Sequence, residues 1–71
     1  MVDMERLKNE IEDSGMTMTA IAEKSGILRE TLYNRFKGIG EFTASEIVGL
    51  SKTLHFSAAD VRKIFLKEEG N

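Results

Sequence analysis

Apolar residues recur along this chain at intervals of three and four, the period of a helix with one buried face, and show no strand-like alternation. Asp3 is followed at that spacing by Met4, Leu7 and Ile11, which predicts a first helix stopping before Gly15. Thr17 is placed to cap a second helix of roughly seven or eight residues, with Ile21 and Ala22 inward and Ser25-Gly26 at its end. After Ile27 a third helix begins near Leu28 or Arg29, buries Leu32 and Phe36 one turn apart and ends at Gly38. A loop follows to Phe42. Thr43-Ala44-Ser45-Glu46 has the form of a capping box and opens a fourth helix with Ile47, Leu50 and Leu54 inward. Ser57-Ala58-Ala59-Asp60 is a weaker box opening a fifth, with Val61, Ile64 and Phe65 on one stripe and fraying expected after Lys67.

The prediction is an all-α fold of five short helices in a single domain, residues 1–67, followed by a flexible tail, residues 68–71. A chain of 71 residues buries only about 60% of the surface its unfolded form exposes, so the core must be economical. With no cysteine, neither a disulfide nor a thiolate metal site supports it. Met4, Met16 and Met18 read as core filler, Met18 being the one expected nearest the surface. No apolar run is long enough to span a bilayer, and the start of the chain lacks the basic and apolar stretches of a signal peptide, which predicts a cytoplasmic protein.

Two short helices joined by a glycine-containing turn form the helix-turn-helix unit, whose second helix lies in the DNA major groove. Helices two and three have that spacing. Ala22 allows the helices to approach, Gly26 supplies a left-handed turn, Ile27 anchors the turn and Leu32 locks the third helix to the second. The run Ile21-Ala22-Glu23-Lys24-Ser25-Gly26-Ile27, then Arg29-Glu30-Thr31-Leu32 to Gly38, resembles the Cro/CI-type helix-turn-helix family of phage and prophage regulators. The later stretch from Phe42 through Leu66 is similar to small phage-derived members in which two further helices close the domain. That resemblance implies a lambda-repressor-like DNA-binding domain, transcriptional repression by operator occupancy, and commonly a homodimer on a palindrome. It implies no cofactor, no small-molecule ligand and no membrane. Where the family usually opens its recognition helix with a polar cap this chain has Leu28, and where it often clamps a phosphate with glutamine this chain has Met18. Thr17 and Thr19 are then left to supply the clamp with the helix dipole.

With Leu32 and Phe36 inward, helical spacing turns Arg29, Glu30, Tyr33, Asn34 and Lys37 outward. Arg29 is suited to guanine, Asn34 to adenine and Glu30 to cytosine, the pairings that major-groove geometry favours. Leu28, at the tip entering the groove, is suited to a thymine methyl group, against the simpler reading that it packs on the domain. Tyr33, Lys37 and Arg35 are placed for phosphates. Each has a plainer alternative: solvated charge for Arg29, Glu30 and Lys37, support of the helix start for Glu30, packing for Tyr33, and a merely solubilising role for Arg35.

The remaining features carry less. The net charge of -2 is low for a nucleic-acid binder, yet residues 16–40 hold four bases against two acids. That acidic total keeps a second class open, a protein-interaction module on the same fold. His55 has no cysteine or carboxylate arrangement beside it and reads as a surface or capping residue near helix four. Gly38-Ile39-Gly40 reads as helix termination rather than a nucleotide loop. Nothing supplies a nucleophile, its base and an oxyanion site together, so no enzyme is expected. Because Ile64, Phe65 and Leu66 are consecutive, they cannot all face one core. Val61, Phe65 and Leu66 are therefore the candidate dimer contact, against a monomer in which Leu66 covers the helix end.

Overall fold

The computed structural model of the chain describes residues 1–66, and these form five helices with no strand among them. They are α1 (Met4–Ser14), α2 (Met18–Ser25), α3 (Arg29–Phe36), α4 (Ala44–Leu54) and α5 (Ala58–Phe65). Helix five thus ends at Phe65, before the Lys67 expected from its pattern. Lys67 itself and the tail 68–71 lie outside the described residues.

Where the helices start follows from the side chain before each. A helix leaves its first backbone N–H groups without partners, and a short polar side chain satisfies one of them. Asp3 accepts from the Arg6 N–H, Thr17 from Ala20, Thr43 from Glu46 and Ser57 from Asp60, all at 3.1–3.2 Å. Both expected capping boxes are complete: Glu46 accepts from the Thr43 N–H at 3.0 Å and Asp60 from the Ser57 N–H at 2.9 Å. Helix α3 is the exception, with Leu28 in the cap position and no side-chain bond.

Every helix contributes one fully buried aliphatic residue to a shared core: Leu7, Ile21, Leu32, Leu50 and Ile64. Ile11, Ala22, Ile27 and Phe65 complete it. Met18, expected near the surface, is half-buried and packed on this core with Met4 and Met16. An aromatic chain closes one side, Phe36 meeting Phe42 edge-on at 6.2 Å between centroids, Phe42 meeting Phe65 at 5.5 Å, and Phe65 tilted against Phe56 at 6.4 Å. Such edge-on pairs are each worth about 0.5–1.5 kcal/mol beyond the area they bury.

The closest approach is between α2 and α4. A Cβ added at Gly49 would run into the Ser25 carbonyl oxygen and come within 3.1 Å of its carbon. The Ser25 hydroxyl, buried at this crossing, donates to Thr53 Oγ1 at 2.9 Å. Glycine in the middle of α4 therefore sets how tightly α4 clasps α2. The start of the chain is tied down by the Asp3 N–H, which donates to the Ile64 carbonyl at 2.6 Å and joins the entry of α1 to the last turn of α5.

Candidate functional site

Three residues separate α2 from α3. Gly26 adopts a left-handed conformation, φ 72°, that a residue with a Cβ takes up only at a cost. From there its N–H donates to the Glu23 carbonyl at 3.3 Å and the next N–H, that of Ile27, to the Ala22 carbonyl at 3.0 Å. This pair of bonds ends α2 and turns the chain. Ile27 drops into the core, Leu28 is extended, and α3 begins.

Leu32 anchors α3 from below, being wholly buried, while Leu28 at the opposite extreme is 77% exposed. Arg29, Glu30, Tyr33 and Lys37 are exposed with it, and Asn34 is half-buried. The Arg29 guanidinium lies over the Tyr33 ring, 5.6 Å from its centroid, an attraction between cation and ring face that orients both. Neither Arg29 nor Lys37 makes an ion pair among the described residues. Both cations are exposed, with no ion pair to neutralise them among the described residues.

The start of α2 adjoins this face. Met18, its first residue, lines a depression of about 280 Å³ with Tyr33 and Phe36 of α3 and with Lys8, Ile11 and Glu12 of α1. Thr17 and Thr19, on either side of Met18, are both exposed. The Thr17 Oγ1 already accepts from Ala20, which leaves its O–H to donate elsewhere. Lys8 is the residue that sequence reasoning missed. It is an exposed cation of an acidic helix, and only the placing of α1 near Tyr33 and Phe36 brings it to the rim.

Arg35 does not stand free in solvent but is engaged within the protein. Its Nε donates to Glu46 Oε1 at 3.0 Å, its Nη2 to Glu46 Oε2 at 3.2 Å, and its Nη1 to the Ile39 carbonyl at 3.1 Å. The planar fork of the guanidinium matches the carboxylate, and each of its three nitrogens has a partner within the protein. Glu46 in turn holds the start of α4. Burial pushes its carboxyl upward, but the Arg35 hydrogen bond, the Thr43 N–H and the Arg35 charge together outweigh that and keep it below the ordinary glutamate value. Asp60 is also held low, first by the Ser57 N–H and then by the Ser57 hydroxyl.

The three residues considered for a dimer contact do not form one patch. Phe65 is 4% exposed and belongs to the core, so it leaves the contact set. Val61 is half-buried and opens on a groove shared with Val48 and Phe56, whereas Leu66, 61% exposed, borders a separate depression with Met1 and Val2. Residues five apart on a helix do not share a face, which is why the two part company. His55 caps the end of α4 in a left-handed conformation, φ 58°.

Among the described residues no group of three or more His, Asp or Glu is arranged to hold a metal ion, and no helix is long and apolar enough to cross a membrane. Compared with protein-family models, with curated proteins and with solved structures, the chain gives no match.

Proposed function

We propose that the chain is a sequence-specific double-stranded DNA-binding protein of the helix-turn-helix kind, a phage- or prophage-type repressor that occupies an operator in the cytoplasm. The observation that carries this reading is the division of α3, with Leu32 wholly buried and Leu28, Arg29, Glu30, Tyr33 and Lys37 exposed around an Arg29 braced on Tyr33. A helix with its side chains is about 10–12 Å across and the major groove about 12 Å wide, so such a face fits the groove lengthwise. Arg29 suits guanine, Glu30 suits cytosine, and Asn34, half-buried, has its amide to offer adenine. Lys37, Thr17 and Thr19 border that face and suit phosphates, which set register without reading sequence.

Labelled duplex is titrated at low and moderate salt, followed by selection from a randomised pool. Binding is expected to fall steeply with salt, Lys37→Ala to weaken all sequences alike and flatten the salt slope by about one, and Arg29→Ala to relax preference at one base pair at a cost of about 1–3 kcal/mol. The net charge of -2 and the bare Leu28 favour a second reading, a protein-interaction module. Negligible affinity for duplex even at low salt would decide for that module.

A further inference from the structure

We propose that Leu28 reads the 5-methyl group of a thymine in the base pair next to the guanine read by Arg29. This inference rests on the DNA-binding reading of α3 and names part of its target. Two observations meet at Leu28. The first is that neither folding nor capping uses the side chain. It is 77% exposed, stands outside the core and the residues packed against it, and makes no cap bond. Its backbone, φ -60° and ψ 136°, is extended like that of Thr17, Thr43 and Ser57, so the position would accept a hydroxyl cap. The second is its neighbour. Arg29, next in the chain and likewise exposed, is braced over Tyr33, so the two side chains leave adjacent backbone positions where α3 begins.

The base chemistry then narrows the choice. Thymine alone presents an apolar group in the major groove, and a leucine can reward only that group. Against an exocyclic amine or carbonyl the same side chain excludes water from a polar atom and leaves it unpaired, which is unfavourable. Consecutive Cα atoms are about 3.8 Å apart and stacked base pairs about 3.4 Å, so adjacent residues at the start of a helix reach adjacent pairs.

The test uses the full chain, a randomised duplex pool, and uracil in place of thymine, a change that deletes only the methyl. Selection with the parent is expected to yield a site holding a guanine whose identity ceases to matter to Arg29→Ala. Replacing the thymine beside it with uracil should weaken the parent about three- to fivefold, the worth of one buried methyl group. Leu28→Ala and Leu28→Ser should bind the thymine and uracil duplexes equally, with Leu28→Ser melting no lower than the parent. If the parent tolerates uracil everywhere, or if Leu28→Ala suffers the same loss, Leu28 is not a reader and DNA binding still stands. A lower melting temperature for Leu28→Ser would likewise overturn the proposal, because the side chain would then serve the fold. A parent that selects no sequence at all overturns the DNA reading and this inference with it.

Discussion

Leu28 and Leu32 sit four residues apart at the two extremes of exposure. Leu32 is sealed in the core, and truncating a sealed leucine loses both its transfer energy and the contacts around the void. Leu32→Ala is expected to lower stability by about 2–5 kcal/mol, which in a domain of this size threatens folding outright. Phe36 lies on the same inward stripe but is only half-buried, braced edge-on by Phe42. Phe36→Ala should therefore cost less than Leu32→Ala, and chemical denaturation of the two variants checks the order. Equal losses would mean that Phe36 is as enclosed as Leu32.

Between helices, the crossing of α2 and α4 depends on a missing side chain. On an isolated helix Gly→Ala is stabilising by about 1 kcal/mol, because alanine has less backbone freedom to lose. At Gly49 the sign should reverse. The new methyl meets the Ser25 carbonyl, a backbone atom that cannot swing aside, and forces the helices apart at the Ser25–Thr53 hydrogen bond. Gly49→Ala is expected to destabilise by about 1–3 kcal/mol, the range for overpacking, and thermal melts would show it. A variant as stable as the parent would mean that α4 can slide.

The helix starts also make a statement about pH. Glu46 and Asp60 both have folded-state pKa values below their unfolded ones. Between the two values the unfolded chain binds more protons, so stability rises with pH there. Their contribution is whole above the ordinary carboxylate range, near pH 4, and is lost as pH falls through the depressed folded values. Melting temperature should accordingly be insensitive to these two groups from pH 7 to about 5 and drop below about 4. In Glu46→Gln the acid-side drop should be shallower, since the amide keeps the shape of the pair but not its titration. An unchanged acid limb would remove the Arg35–Glu46 pair from the account.

For the molecule as a unit, the proposed DNA binding raises the question of whether one copy suffices. With Phe65 in the core and Val61 turned to another groove, Leu66 is what remains of the expected contact, and so small a surface would support only weak self-association. The expectation is a monomer in free solution that pairs on a palindrome, the duplex supplying the effective concentration. Sedimentation reads the first part, and comparison of palindrome with half-site reads the second. Leu66→Ser should reduce the cooperativity while leaving half-site affinity intact. A palindrome bound no more tightly than two independent half-sites would retire the dimer.

Helix number, helix starts and the inward residues were all legible in the residues themselves, because they rest on short-range physics. The spacing of Leu7 and Ile11, the hydroxyls of Thr17, Thr43 and Ser57, and the left-handed turn at Gly26 each act within one or two turns of chain. The outward set on α3 was legible for the same reason, since one buried leucine fixes the opposite face of a helix. The partners of Arg35 were not. Nothing local marks Glu46, eleven residues on, as the group that claims the guanidinium, so from sequence alone Arg35 reads as a free surface cation. Nor could spacing show that Gly49 meets Ser25, that Lys8 comes to rest beside Tyr33, or that Val61 and Leu66 open on separate depressions. Those outcomes depend on which helix packs against which and at what angle, and only the assembled core decides that, because the same apolar stripes can be brought together in more than one way.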